Sequence, residues 1–192
     1  KYELIGQTLD DSAGEAYDKV AKMLGLGYPG GPIVDVRAKS GNSRAFDFPR
    51  PLCDKTGCDF SFSGIKTAAR TFIERTEQSI TDDYINDFCA SFQSAVVDCI
   101  TNRLKNAIKD SRVRDAKPET LVVAGGVAKN SAIRAALEKL ALENGMKFAA
   151  PPMNLCTDNG AMIAWAGLEN YRVGKVVKEP VVPRPRWPLT EL

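Results

Sequence analysis

Two adjacent glycines, Gly125 and Gly126, stand in the segment LVVAGGVAKNSAIR between an apolar, mostly β-branched run at residues 121–123 and a stretch with helical periodicity. Strand, glycine turn and helix in that order suit the binding of a planar or anionic ligand. The glycines permit positive φ and remove every Cβ from the surface of the turn, so a ligand can approach the main chain itself. The first N–H groups of the next helix, expected near residues 127–130, then point into the same space with the positive end of the helix dipole behind them. A nucleotide fits such a site. The plain reading also fits, in which Gly-Gly only closes a tight strand-to-helix connection.

Carboxylates supply the other candidate chemistry. Asp18 lies on a stretch whose apolar residues Ala13, Ala16, Tyr17, Val20, Ala21 and Leu24 form the buried stripe of a helix, where Lys22 can pair with it four residues on. The following GYPGGP, residues 27–32, sets two prolines around two glycines and predicts a stiff, sharply folded loop with bare backbone at its tip. Asp158, in NLCTD, sits where a last helix begins. There an aspartate is either an N-cap or, on a rigid turn, a hard oxygen donor for a metal. The chain has no histidine, hence no Ser/His/Asp or Cys/His nucleophile and no HExxH motif. Cys53 and Cys58, with Gly57 between them, make half of a zinc site that no second pair completes.

Behind these groups is an ordinary globular composition: 192 residues, 44% hydrophobic and 26% charged, enough for one core or two small ones. A net charge of +2 argues against a strongly basic surface overall. It leaves a local patch at Arg103, Lys105, Lys109, Arg112 and Arg114, which either meets phosphates or is a solvated helix end. No stretch approaches ~18 uninterrupted apolar residues, so no membrane span is expected, and no basic-then-apolar leader is legible. Five cysteines, odd in number and dispersed, predict reduced thiols and a cytoplasmic compartment.

The elements that must position these groups follow from periodicity. A strand end is expected at residues 2–5, with residues 8–11 supplying the cap of the first helix, a short helix after Asp35 to about Lys39, and a possible strand at 45–48. FSFSGIKTAAR predicts a helix capped by Ser63, with Lys66 either solvent-facing or directed at a phosphate. From Thr81 to about Asp110 one long face carries Ile85, Phe88, Cys89, Phe92, Ala95, Val96, Cys99, Ile100 and Leu104, a core helix whose aromatic stripe is packing. After the glycine turn come a helix with Ile133, Leu137, Leu140 and Ala141 ended by Gly145, a strand at 147–150, a helix at 159–171 capped by Thr157 or Asp158, and an extended proline-rich tail. Such βα units among helical stretches argue for an α/β fold.

Four blocks in this order, TLDDSAGEAYDKVAKMLGLGYPGGP, FSFSGIKTA, VAGGVAKNSAIR and CTDNGAMIAWAG, closely resemble the tRNA threonylcarbamoyladenosine transferase family, from about Leu4 to the closing RPRWPL. The resemblance implies an actin-like ATPase fold with two lobes around a nucleotide cleft. It implies transfer of a threonylcarbamoyl group from threonylcarbamoyl-adenylate to N6 of the adenosine adjacent to the anticodon, in tRNAs reading codons that begin with A. On that resemblance Asp18, of AYDK, binds the ligand through ribose hydroxyls, Gly31 touches it, Asp35 lines the same pocket, Gly125 and Gly126 flank it, and Asn130, one turn into its helix, offers acceptor and donors to base or ribose. Asp158, of CTDN, becomes one ligand of an iron or zinc ion whose other ligands are two histidines of an HxxxH element. No catalytic residue is assigned.

Lacking those histidines and aligning at once with the middle of the family, the chain is expected to be a second lobe with a helical insertion, without the first. Residues 1–115 would form its helix-rich part with the substrate loop and residues 116–192 a βαβα nucleotide-site part. Such a fragment is expected to be inactive, to bind nucleotide weakly and to hold no transition ion tightly. The implied partners are tRNA and other subunits of a threonylcarbamoyl transferase complex, with ATP or ADP as further ligands and no membrane. The older glycoprotease label of similar sequences finds no motif here. An actin-like ATPase or sugar kinase lobe and a non-catalytic nucleotide-binding scaffold stay open as alternatives.

Overall fold

Ser12 opens the first helix, α1 (Ala13–Met23), through a reciprocal capping box: its hydroxyl accepts from the Glu15 amide while the Glu15 carboxylate accepts from its own. The expectation of a cap within residues 8–11 is corrected accordingly. The computed structural model describes residues 2–77, 79–175, 182–183, 187 and 189–191. Most of the proline-rich tail lies outside the described residues. Helices α2 (Gly30–Ala38), α3 (Ser63–Glu74), α4 (Asp82–Lys109) and α5 (Ser111–Ala116) follow, then strand β1 (Thr120–Val122), helix α6 (Ser131–Glu143), strand β2 (Lys147–Ala149) and helix α7 (Gly160–Arg172).

Helix α4 is the axis of the core. It packs against α2, α3, α5 and α6, and its Phe88, Phe92, Ala95 and Val96 are fully buried, as the stripe predicted. Phe46, Phe48, Phe72 and Tyr84 surround Phe88 with ring centroids 5.0–6.5 Å apart, mostly edge to face. Strands β1 and β2 pair in parallel, Leu121 opposite Phe148, and α6 is the crossover between them. The described residues therefore form a helix-rich α/β fold with a small parallel sheet. Helix α7 has no buried residue among those described.

Several local expectations give way to long-range partners. Residues 2–5 form no strand; the extended segment pairs further on, through a single parallel bridge between Thr8 and Phe60. Residues 45–48 form none either, because the backbone there is held by a side chain: buried Ser91 of α4 accepts from the Phe46 amide and donates to the Asn42 carbonyl. Ser63 is not the cap of α3 but its first residue. The cap comes from Asp10, whose carboxylate accepts from the Phe62 and Ser63 amides at 2.8 and 3.2 Å and from the Ser61 and Ser63 hydroxyls. Lys66 pairs with Asp11 at 2.7 Å, and Lys19 of α1 reaches the other oxygen of the same carboxylate at 2.6 Å. The Asp10-Asp11 dipeptide thus fastens α1 to α3.

Both carboxylates titrate below their ordinary value of 3.8, Asp11 through its hydrogen bonds from Lys19 and Lys66. At Asp10 partial burial pushes upward, and the hydrogen bonds from Ser61, Phe62 and Ser63 more than offset it. A carboxylate depressed in the folded state contributes stability that is present above its unfolded value and lost as pH falls through the folded one. The chain should therefore lose stability below about pH 4, and Asp11→Asn should flatten that acid limb in denaturant titrations. An unchanged limb would mean the clamp adds nothing.

The basic patch is largely dismantled. Arg103 is buried and donates to the carbonyls of Lys55 and Gly57, while Arg112 pairs with Asp110 at 2.9 Å and Arg114 with Asp115 at 3.2 Å. Lys105 and Lys109 keep exposed positions.

Candidate functional site

The α1–α2 corner places the first of the expected ligand residues. Asp18 does not pair with Lys22; its Oδ1 accepts from the Gly30 amide at 2.7 Å, occupying one of the donors that α2 leaves without an intrahelical partner. Gly30 and Gly31 are not the tip of a loop but the first turn of α2. They differ in surroundings. A Cβ on Gly30 would lie 2.6 Å from the Ala21 Cβ and 2.8 Å from the Tyr17 carbonyl oxygen, whereas one on Gly31 would meet nothing within 4 Å. Gly30 is what lets α2 touch α1. Gly31 is the residue whose bare backbone faces open space.

One turn further along α2, buried Asp35 reaches across to α6. Its carboxylate accepts from the Ser131 amide at 3.2 Å and the Ser131 hydroxyl at 2.9 Å. The positive end of the α6 dipole is therefore already matched by a carboxylate of the chain itself. Asn130 completes the cap. It stands at the N-cap of α6, not one turn inside, with Oδ1 accepting from the Ile133 amide at 3.0 Å. Its Nδ2 donates to Gln93 Oε1 of α4 at 2.6 Å and to the Tyr17 hydroxyl of α1 at 3.3 Å. Burial, with the nearby Asp35 charge adding, drives the Tyr17 phenol far above its usual range, so it stays a neutral hydrogen-bonding group. Asn130 is thus the joint of α1, α4 and α6, and its side-chain donors are committed inward.

The glycine turn lies immediately before this joint. Gly125 has φ +86°, where only glycine is at ease, and both glycines are exposed with open space at the Cβ position. Residues Gly126–Lys129 form a 3-10 turn rather than the start of the helix, closed by Ala128 N–H to the Gly125 carbonyl and Asn130 N–H to the Val127 carbonyl. Among the described residues the amides of Gly126 and Val127 carry no hydrogen bond. In the first turn of α6, by contrast, the Ser131, Ile133 and Arg134 amides are all taken, by Asp35 and by Asn130. Arg134 ties this turn to the next segment, donating to the Ala128 carbonyl and to the Pro151 carbonyl, each at 3.0 Å.

The family profile described as tRNA N6-adenosine threonylcarbamoyltransferase matches residues 1–165. The chain belongs to this family. Curated relatives of that name agree: one from Rhodospirillum rubrum is 54% identical over 186 residues, 96% of this chain and 51% of the relative. Others from Paramagnetospirillum magneticum and Anaplasma phagocytophilum are 50% and 49% identical over 98% and 100% of this chain, and over 54% and 56% of their own lengths. The chain spans about half the length of the curated relatives it matches. The actin-like fold that the family implies agrees with a helix-rich chain containing a small parallel sheet.

Within this family member, Asp18, Gly31, Asp35, Gly125, Gly126 and Asn130 fall on elements that touch one another. Asp158 stands apart. It is exposed, makes no hydrogen bond or ion pair among the described residues, and is not the cap of α7; Asn159 is, accepting from the Met162 amide at 2.9 Å. Nor is Thr157 the cap; its hydroxyl accepts from Lys129 at 3.4 Å, which brings the CTDN turn beside the glycine turn. One carboxylate does not fit an iron or zinc ion by itself, and among the described residues no three of His, Cys, Asp and Glu gather to hold a metal.

Reading the sequence missed Gln93, Ser131 and Arg134. Gln93 was the findable one: a polar residue four after Cys89 on the apolar face of α4 must find a partner when buried. No helix among the described residues is long and apolar enough to cross a membrane.

Proposed function

We propose that the corner formed by α1, α2 and the 125–131 turn is the nucleotide side of a tRNA N6-adenosine threonylcarbamoyltransferase, in the second lobe of an actin-like fold. Residues 1–115 would be its helix-rich part and residues 116–192 its βαβα part. The whole protein transfers the threonylcarbamoyl group of threonylcarbamoyl-adenylate to N6 of the adenosine next to the anticodon, in tRNAs reading codons that begin with A. The observation that carries the reading is that two stretches of bare backbone, at Gly31 and at Gly125-Gly126, stand on elements locked together by Asp35 and Asn130. The unbonded amides of Gly126 and Val127 suit the phosphate of the adenylate or of ATP or ADP, and the second oxygen of Asp18 suits ribose hydroxyls.

The reaction is acyl transfer: the exocyclic amine attacks the carbamoyl carbon and AMP leaves. This chain binds and orients, and among the described residues no side chain is placed as a nucleophile for that transfer. Asp158 contributes one oxygen donor toward an iron or zinc ion, the imidazoles coming from outside a chain that has no histidine. tRNA and further subunits of the transferase complex are the partners, in the cytoplasm, in keeping with five free cysteines.

Calorimetric titration of adenine nucleotide into whole-length protein carrying this sequence tests the site. Asp18→Asn keeps an acceptor for the Gly30 amide and removes the charge, so the fold should persist while affinity falls about tenfold, the loss expected when a charged hydrogen bond of ~1.5 kcal/mol goes. Unchanged affinity in Asp18→Asn and in Asn130→Ala would reject this corner as the nucleotide site.

A further inference from the structure

Cys53 and Cys99 meet across the fold. The two sulfurs are 3.8 Å apart, although 46 residues separate them in sequence and both thiols are free. Cys53, which in the sequence stands with Cys58 as half of an incomplete zinc site, lies in the fold beside Cys99. Cys99 is buried in the middle of α4, and burial pushes its thiol up to about 12. Cys53 is half-buried and lines a surface cavity of about 480 Å³ together with Arg50, Asp98, Asn102, Lys105 and Glu143. One thiol is thus reachable by a small oxidant, and the other waits behind it.

The loop that carries Cys53 is already fastened to α4 on both sides of the sulfur. Asn102 donates to the Cys53 carbonyl at 3.2 Å, Arg103 to the Lys55 and Gly57 carbonyls, and Arg50 to Asp98 at 3.1 Å. These bonds hold the sulfurs together without a covalent link. A disulfide requires about 2.05 Å between sulfurs, so the remaining closure is about 1.8 Å, within the sweep of a cysteine χ1 rotation.

We infer that Cys53 and Cys99 are a thiol–disulfide modification site, with Cys53 the attacking and Cys99 the resolving sulfur, oxidised by a peroxide. In the first step the Cys53 thiolate attacks a hydrogen peroxide oxygen; the O–O bond breaks, Cys53 becomes a sulfenic acid and hydroxide leaves. In the second step Cys99 attacks the Cys53 sulfur, the S–O bond breaks, and the Cys99 proton leaves with the hydroxide as water. The sum is two thiols and one peroxide giving one disulfide and two waters. The product staples the loop after Phe48 to α4, about two helical turns from Gln93.

The test treats the reduced, native chain with hydrogen peroxide and maps its peptides without reductant. The expected result is a loss of two hydrogens in intact mass, one cross-linked peptide joining Cys53 to Cys99, and reversal by dithiothreitol. Cys58→Ser should leave the cross-link intact, which guards against a variant that merely misfolds. Cys99→Ser should instead trap Cys53 as a sulfenic acid or, with glutathione present, as a mixed disulfide. A wild-type chain in which Cys53 stops at sulfenic or sulfinic acid, a link from Cys53 to Cys58, or a cross-link seen only after denaturation would each overturn the assignment.

Discussion

Asn130→Ala should lower the stability of the chain by about 2–4 kcal/mol, and it should do so by more than the loss of a helix cap. The cap alone, Oδ1 to the Ile133 amide, is worth about 1 kcal/mol. The excess comes from what the amide group leaves behind: Gln93 Oε1 loses its 2.6 Å donor inside the core, and the Tyr17 hydroxyl loses a partner too. A buried group orphaned in this way costs about 1–3 kcal/mol. In a chain of this size the sum corresponds to a fall in Tm of roughly 5–15 °C, readable by thermal unfolding. Asn130→Asp separates the two roles, since aspartate caps as well as asparagine but cannot donate to Gln93 and adds a carboxylate near Asp35. It should destabilise nearly as much as alanine. A double-mutant cycle with Gln93→Ala should show coupling of about 1 kcal/mol or more; additivity would mean that Asn130 is a cap and nothing else.

Gly30→Ala and Gly31→Ala, neighbouring substitutions in one helical turn, should have opposite consequences. At Gly30 the new methyl would press within 2.8 Å of the Tyr17 carbonyl and 2.9 Å of the Asp18 Cα, both backbone atoms that cannot rotate away. Overpacking of that kind costs about 1–3 kcal/mol, and parting α1 from α2 also lengthens the bond from Gly30 to Asp18. At Gly31 the methyl enters open space, and Gly→Ala in a helix gains up to about 1 kcal/mol. Denaturant midpoints on the two variants measure this directly. Nucleotide titration on whole-length Gly31→Ala then isolates function: a stable protein with weakened binding supports contact between Gly31 and the ligand, and unaltered binding removes it from the site.

Much of this chain was legible from one dimension, because periodicity reports which face of a helix is buried. The spacing from Ile85 to Leu104 gave α4, Thr81 gave its start, the run before Gly125 gave β1, and the order of four motifs identified the family, whose profile matches residues 1–165. Composition alone excluded histidine chemistry. What periodicity does not report is the partner of a buried polar atom, since that partner lies anywhere along the chain. Tertiary structure decided that Asp10 caps a helix 53 residues away, that Asp35 covers the N-terminus of α6 from 96 residues away, and that Asn130 turns its amide inward to Tyr17, 113 residues distant. It also put Arg103 in the core and Cys53 beside Cys99. Asp35, Arg103 and Asn130 are buried polar groups that had to be satisfied, and only the packed fold brings the matching donor or acceptor within hydrogen-bond reach.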